Sequence, residues 1–287
     1  MPRTSPTVRR RRLGQELRAL RESKSMTVEH VAKELDWSPS KVSRIETTAI
    51  KVGTVDLRAL LDVYGVTDDE ARKGMLELGK ESREVGWWMR ISDPGPVRSF
   101  KDYIGFEAEA RQILTYEQSM IPGLLQTESY ARAMMRALYV DDRNFEDGIQ
   151  ARLTRQELLT RSDDPVKFVA IVDEAALRRP AGGVRRREVM REQIERLIEL
   201  SDRPNIAIRV LPFDNGLHPG MSGAFTILEL PHPDDPNVVY VEAATVGVLL
   251  NDPEDVRLYN RIFDGVQQEA LGRQPSEQYL HDSLKMY

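Results

Sequence analysis

Two short segments near the amino terminus carry apolar residues at helical spacing. In residues 26–46, MTVEHVAKELDWSPSKVSRIE, Thr27 is suited to cap a first helix. Asp36 and Trp37 break the helical period, and Asp36 tolerates the left-handed backbone of a tight turn. The inward face of this predicted helix consists of four apolar residues: Val28, Val31, Ala32 and Leu35.

A second short helix is predicted directly after this turn, with polar side chains on its outer face. Ser38 is suited to cap it, and Pro39 stands at its first position, where no backbone N–H is needed. Short hydroxyls allow close approach to a DNA groove, and long cations reach phosphates or guanine edges. From spacing alone, an ordinary helical hairpin with a solvated polar face remains an alternative. The outward positions are Ser40, Lys41, Ser43 and Arg44.

The flanking segments extend this pair into a small helical module. Leucines repeat at helical spacing over residues 13–20, and downstream Thr54 is suited to cap a helix that stops at Gly65. Four or five helices within the first ~80 residues are typical of a compact DNA-binding module, so we predict a helix-turn-helix domain over residues 1–80. A run of arginines is predicted to precede the first helix and to contact phosphates: Arg9, Arg10, Arg11 and Arg12.

The stretch LRALRESKSMTVEHVAKELDWSPSKVSRIE resembles the Xre/lambda-repressor-like helix-turn-helix family. The resemblance implies that bases are read from Pro39, Ser40 and Arg44. It also implies that Glu46 is a structural acid paired with Arg21. Three further residues are expected near the DNA backbone or the groove wall: Ser38, Lys41 and Ser43.

Beyond Gly79 the composition changes. The segment GWWMRISDPGPVRSF predicts a linker over residues 81–100, with two tryptophans as an anchoring contact between domains. The following forty residues predict a helix, a loop and a helix. Ile104, Ala108 and Gln112 share one face of the first helix, and Thr127 caps the second.

The remaining chain alternates helical and strand patterns. VKFVAIVDE, IAIRVLPF, AFTILEL, VVYVEA and VGVLL predict strands, whereas FEDGIQARLTRQELLTRSD, REVMREQIERLIELSD and DVRLYNRIFDGVQQEAL predict helices. The predicted fold class is therefore an N-terminal all-α helix-turn-helix domain followed by an α+β domain over residues 101–287.

Several motifs of this second part resemble a known domain. GWW, IPGLLQTESYARA, DEAALRRPAGG, VLPFDNGLHPGMSGAF and VVYVEA resemble, in this order, the C-terminal domain of unknown function of actinobacterial Xre-type regulators of the WhiJ-like group. The resemblance implies a regulatory role beside a small acidic BldB-like partner protein, in gene pairs linked to development, antibiotic production or toxin–antitoxin behaviour. It supplies no chemical activity.

Charge is distributed unevenly along the chain. Residues 1–65 hold 13 basic and 8 acidic residues, a balance of +5, although the whole protein has a net charge of −5. A basic amino-terminal part concentrates the attraction for phosphate at one end. Cysteine is absent, which excludes disulfides and cysteine-based zinc sites. No segment has the ~18 apolar residues of a membrane span, and the basic amino terminus lacks the apolar stretch of a signal peptide, so we expect a cytoplasmic protein.

The sequence offers no spaced catalytic constellation. No pair among the four histidines has the spacing of a helical zinc site, and no glycine-rich nucleotide motif is present, so we expect neither an enzyme nor a metal or cofactor. One alternative groups His218 with Tyr240 and Glu242 in a nucleotide site of the ADP-ribosyltransferase kind. The candidate ligand or partner contacts of the C-terminal domain are Gln126, Tyr130, His218, Tyr240 and Glu242.

Together these patterns predict a sequence-specific transcriptional regulator that binds a double-stranded DNA operator as a homodimer. Its C-terminal domain is expected to dimerise and to sense a protein or small-molecule signal. The alternative is a DNA-binding antitoxin, or an enzyme-like module with autoregulation.

Overall fold

The computed structural model describes residues 5–90, 99–138, 145–232, 235 and 237–287. These residues form two compact units, Met1–Arg90 and Ile91–Tyr287. The first unit is helical and the second combines a sheet with helices, which confirms the predicted fold class.

The first unit is built from five α-helices in its described part, followed by a short 3₁₀ helix at Trp87–Arg90. The buried leucines and valines that the periodicity assigns to the interior form one core around Leu17, Val42 and Leu57. The helices are α1 (Pro6–Ser23), α2 (Val28–Glu34), α3 (Pro39–Glu46), α4 (Thr54–Val63) and α5 (Asp69–Glu81).

Local capping fixes the helix-turn-helix as predicted. The Thr27 hydroxyl accepts a hydrogen bond from the His30 backbone N–H at 3.1 Å, and the Ser38 hydroxyl accepts one from the Lys41 backbone N–H at 3.2 Å. Asp36 adopts the left-handed backbone, with φ of 55°. Each side-chain cap satisfies a backbone donor that the first turn of a helix leaves open.

Two local predictions for this unit are wrong. The arginines at positions 9–12 do not precede the first helix, because α1 already begins at Pro6. Thr54 is the first residue inside α4 and not its cap. Gly53 occupies the N-cap position, and glycine has no side chain that could cap the helix.

A buried ion pair joins the helices of the first unit. The Arg21 guanidinium donates from Nε to Glu46 Oε1 at 2.8 Å and from Nη2 to Glu46 Oε2 at 3.0 Å. Arg21 Nη1 donates to the Met26 carbonyl at 2.8 Å, and the Tyr64 hydroxyl donates to Glu46 Oε1 at 3.3 Å. The hydrogen bonding of the Arg21 guanidinium to the Glu46 carboxylate raises the pKa of Arg21, and burial raises the pKa of Tyr64. The predicted Arg21–Glu46 pair therefore links α1, α3 and α4.

A glycine permits the close approach of α1 to the end of α3. A Cβ added at Gly14 would lie 2.5 Å from the Glu46 carbonyl oxygen and 2.7 Å from a Thr48 methyl group. Backbone cannot yield as a side chain does, so a larger residue at position 14 would force the two helices apart.

The second unit contains a mixed sheet. In the described part of this unit the strand order is β3-β2-β1-β4-β5-β6, with β1, β2 and β3 parallel and the pairs β1–β4, β4–β5 and β5–β6 antiparallel. The strands are β1 (Gln112–Glu117), β2 (Lys167–Asp173), β3 (Ile206–Leu211), β4 (Phe225–Glu229), β5 (Val238–Glu242) and β6 (Gly247–Leu250).

Successive residues of a strand face opposite sides of the sheet, and this alternation separates two layers. Tyr116 and Val239 belong to a core that includes Phe263 of α11. Tyr240 faces the other side, where its ring stacks on Tyr103 of α6 at a centroid distance of 4.3 Å. The helices are α6 (Phe100–Glu109), α7 (Glu128–Leu138), α8 (Phe145–Thr160), α9 (Glu174–Arg178), α10 (Arg186–Ser201), α11 (Pro253–Glu269) and α12 (Arg273–Ser283).

The sequence pattern misses β1 and α12. Gln112 does not share a helical face with Ile104 and Ala108, because α6 ends at Glu109 and Gln112 begins β1. The predicted Thr127 cap of α7 is confirmed, since its hydroxyl accepts a hydrogen bond from the Tyr130 backbone N–H at 3.2 Å.

We predict that Arg21→Ala destabilises the first unit by about 3–5 kcal/mol, because it leaves the Glu46 carboxylate buried without a positively charged partner. Denaturant unfolding followed by tryptophan fluorescence measures this unit selectively, since all three tryptophans lie within residues 1–90. Arg18→Ala is the matched control, because Arg18 forms an exposed pair with Glu22 and its loss costs about 0–1 kcal/mol. Equal unfolding midpoints for the two variants would contradict the role assigned to the buried pair.

Candidate functional site

The outer face of α3 is the first candidate site. The residues predicted to contact DNA there differ in their exposure to solvent. Lys41 is half-buried. The other five predicted positions on this face are exposed: Ser38, Pro39, Ser40, Ser43 and Arg44.

Arg44 is the exposed cation of this face. Within the part of the chain that the structure describes, its guanidinium forms no ion pair, and its backbone carbonyl accepts a hydrogen bond from the Ile50 N–H at 3.2 Å. A guanidinium presents a fork of donors that matches O6 and N7 of guanine. Ser40 lies one helical turn before Arg44, so the two side chains share one face of α3.

Lys41 is held against its own domain. Its ammonium lies 2.9 Å from Asp56 Oδ2 of α4 and 3.5 Å from the centroid of the Trp37 ring. Asp56 thus already provides Lys41 with a negatively charged partner, as a DNA phosphate would. The short-range sequence pattern contains no signal for this pairing, because Asp56 belongs to the next helix.

The arginines at the start of α1 are half-buried and partly paired. Arg9 Nε lies 3.2 Å from Glu81 Oε2 of α5, and Arg12 Nε donates to Glu16 Oε1 at 2.8 Å. A phosphate that contacts either of these two side chains would share the guanidinium with a carboxylate, because a guanidinium carries five N–H donors. Arg10 and Arg11 also lie within α1.

The second candidate site is a cavity in the C-terminal unit. It has a volume of about 310 Å³ and lies where β1 and β5 end and β4 begins. Three of the predicted contact residues line it: Gln126, Tyr240 and Glu242. Ligands of open α/β sheets commonly bind beyond the carboxyl ends of strands, at the point where strand order or direction changes. Here the parallel and antiparallel halves of the sheet meet at β1 and β4.

Tyr130 and His218 lie elsewhere. The Tyr130 hydroxyl accepts a hydrogen bond from the buried Ile121 N–H at 3.3 Å. His218 Nδ1 accepts from the Gly220 N–H at 3.2 Å, and its Nε2 is 3.5 Å from the Tyr116 hydroxyl and 4.0 Å from Asp173 Oδ2. Burial and then the Asp173 charge raise the pKa of Tyr116.

The grouping of His218 with Tyr240 and Glu242 is therefore not found. His218 contacts Tyr116, whose side chain faces α11, whereas Tyr240 and Glu242 face α6 on the opposite side of the sheet. The contacts of His218 fasten the loop before β4 to the sheet.

Sequence reasoning missed six charged or aromatic residues around the cavity: Phe100, Tyr103, Glu117, Arg152, Arg155 and Phe225. Glu117 ends β1, the strand that the sequence pattern did not predict. Burial, and then the charge of Glu242, raise the pKa of Glu117 to about 8 against the opposing effect of Arg152.

A buried network frames the cavity. The Arg155 guanidinium donates to both carboxylate oxygens of Glu107 at 2.7 Å, and the Tyr103 hydroxyl donates to Glu107 Oε2 at 2.7 Å. The Tyr103 ring stacks on Tyr240, whose hydroxyl donates to Glu242 Oε2 at 3.0 Å. These contacts fix one wall of the cavity to α6 and α8.

Two further properties concern only the described residues. They contain no group of three or more histidine or acidic residues arranged to hold a metal ion. None of their helices combines the length and the apolar character needed to cross a membrane.

Comparisons with known proteins identify two domains. A helix-turn-helix domain family matches residues 12–73, which include α2, α3 and the turn between them. A family described as a domain of unknown function (DUF5753) matches residues 100–282, and this region contains the whole sheet and the cavity. No curated protein and no solved structure matches the chain. The helix-turn-helix domain indicates that the protein binds DNA, and the chain belongs to the DUF5753 family.

Proposed function

We propose that the protein is a sequence-specific transcriptional regulator of the Xre type, in the WhiJ-like group, that reads double-stranded operator DNA with α3. The observation that carries this proposal is the exposed face of α3 with Arg44, on a helix held from behind by the buried Arg21–Glu46 pair. Recognition helices of this class contact base edges mainly from residues near their amino-terminal end, where Ser40 lies; Arg44 lies on the same face in the last turn of α3.

The side chains of α3 suit that role in different ways. Arg44 is long enough to reach a guanine edge, and Ser40 is short enough to let the helix backbone approach the groove. Pro39 has no side-chain donor or acceptor, so it contributes shape. Because Lys41 is paired with Asp56, we assign it a supporting contact with the groove wall.

The remaining attraction comes from the basic balance of the first 65 residues, with 13 basic against 8 acidic side chains. Such charge binds all DNA alike and makes affinity depend strongly on salt. A small acidic protein of the BldB-like kind would be attracted to the same region, so such a partner would compete with DNA or stabilise the regulator's free form.

The C-terminal domain is proposed as the dimerisation and input domain. It binds a signal without altering it chemically, and it changes operator affinity only if the signal favours one of two states. In a homodimer, two helix-turn-helix domains are linked and engage two half-sites. Once one domain is bound, the linkage raises the effective concentration of the other at its half-site.

We predict that Arg44→Ala weakens binding to the selected operator by about 1–3 kcal/mol, the value of one bidentate base contact. The affinity for random DNA should fall only by the contribution of one positive charge to the attraction for phosphates. The operator is first selected from random oligonucleotides, and affinities are then measured by fluorescence anisotropy at several salt concentrations. Arg191→Ala on α10 is the matched control, because it removes the same charge from an exposed position outside the helix-turn-helix domain. Equal losses on operator and random DNA would remove Arg44 from base readout.

We also predict a homodimer that protects two related half-sites. Light scattering at micromolar concentration should give twice the mass of the 32.8 kDa chain for the free protein, and that mass plus the mass of one duplex for the DNA complex. Footprinting should show protection at two positions separated by about one helical turn of DNA or a multiple of it. A monomer under both conditions would refute the dimer.

A further inference from the structure

The cavity in the C-terminal unit has features of a built ligand site. Its volume of about 310 Å³ lies at the lower end of the range of small-molecule pockets, which is about 300–1,000 Å³. Its walls combine aromatic rings with charged groups, and the Gln126 amide lies at its edge. A site of this size accommodates a small organic molecule and not a peptide chain.

The charged residues favour a positively charged ligand. Arg155, although it lines the cavity, is already neutralised by both oxygens of Glu107. The other charged groups of the lining are two carboxyl groups, Glu117 and Glu242, and one guanidinium, Arg152. With both carboxyl groups ionised the lining has one negative charge in excess, which a single cation would balance.

In the absence of such a cation, the negative charge of one carboxyl group makes ionisation of the other less favourable. The charge of Glu242 contributes, after burial, to the raised pKa of Glu117, which reaches about 8. An opposite charge close to a carboxyl group favours its ionised form. A bound cation would therefore relieve the repulsion and gain an ionised partner at Glu117.

An unpartnered acceptor points to a ligand with N–H donors. Gln126 is 2% exposed, and its side-chain nitrogen donates to the Ile121 carbonyl at 2.7 Å. That bond fixes the orientation of the amide, since only the nitrogen can donate to a carbonyl. The amide oxygen Oε1 is buried and has no hydrogen-bond partner. Leaving such an acceptor unsatisfied is costly, so a ligand donor that reaches it when the cavity wall adjusts would stabilise the site.

The aromatic wall suits a flat apolar body. Tyr103 and Tyr240 are stacked with an interplanar angle of 24°, and Phe100 stacks on Tyr103 at 5.7 Å. Gly247 leaves room for the Tyr240 hydroxyl, since a Cβ at that position would lie 2.4 Å from it. The Arg155 guanidinium already lies over the Phe100 and Tyr103 rings, 5.1 and 5.3 Å from their centroids, so the wall offers a ligand apolar contact in the first place.

We propose that this cavity binds a small organic monocation that has a flat apolar body and N–H donors, with Glu117 and Glu242 at the charge and Gln126 Oε1 at a donor. This inference deepens the proposed input role of the C-terminal domain and rests on it. The ligand class follows from the cavity, the two carboxyl groups and the unpartnered amide oxygen.

Three probes that share a phenyl ring test the assignment of charge. Benzamidine is a planar cation with N–H donors, benzamide is its neutral analogue and benzoate is an anion. Each is titrated into the full-length protein without DNA and followed by ligand-observed NMR, up to about 10 mM, because a Kd near 1 mM is a weak but measurable affinity. We expect benzamidine to bind at least about tenfold more tightly than benzamide and benzoate, a difference of about 1.4 kcal/mol.

Two variants and a control locate the binding. Glu117→Gln and Glu242→Gln should each weaken benzamidine binding by about tenfold, because each removes one negative charge from the site. Glu242 is exposed, so its variant keeps the test valid if Glu117→Gln fails to fold. Glu192→Gln on the exposed side of α10 should leave binding unchanged.

The proposal is overturned if benzamide or benzoate binds as tightly as benzamidine, if Glu242→Gln leaves benzamidine binding unchanged, or if no benzamidine binds in the tested range. DNA takes no part in this measurement. A protein that binds benzamidine but selects no operator would fail the proposed function alone, and one that selects an operator but binds no cation would fail this inference alone.

Discussion

The buried pair of Arg21 and Glu46 is the interaction on which the geometry of the DNA-binding unit depends. Removing two charges from water is expensive, and the pair tolerates it only because the guanidinium uses both carboxylate oxygens and the Met26 carbonyl. These bonds connect α1 to the carboxyl end of α3, and Tyr64 adds a hydroxyl from the segment that ends α4. The pair thus holds α3 from its inner side and leaves its outer side free for DNA.

The C-terminal unit uses the same kind of interaction for a different purpose. Arg155 and Glu107 join α8 to α6, and Tyr103 extends their hydrogen bonds to an aromatic ring that stacks on Tyr240. The result is a rigid wall beside the ends of β1 and β5. For the ligand that we propose, charged groups already held in place at this wall would reduce the ordering cost of binding. Rigid walls with a few converging polar groups are what a small-molecule sensor requires.

Local chemistry explains which features could be predicted from the sequence. Thr27, Ser38 and Asp36 act within one helical turn, so their caps and backbone follow from short-range patterns. β1 was missed because QILTYE is buried on both faces and follows α6 after two residues, without alternation or a clear turn. Pairings such as Lys41 with Asp56 join separate helices, and the separation of His218 from Tyr240 depends on which face of the sheet each side chain contacts. Such contacts can be identified only when the fold is known.

The ratio of operator affinity to random-DNA affinity for the unaltered protein tests the central claim most directly. It is measured by competition of a selected operator against random duplexes of equal length, at physiological salt. If α3 reads bases, we predict a ratio on the order of 10³ or more, as specific complexes of this kind show. A ratio close to one would contradict the claim, because it would mean that the basic charge of the amino-terminal unit accounts for all of the binding.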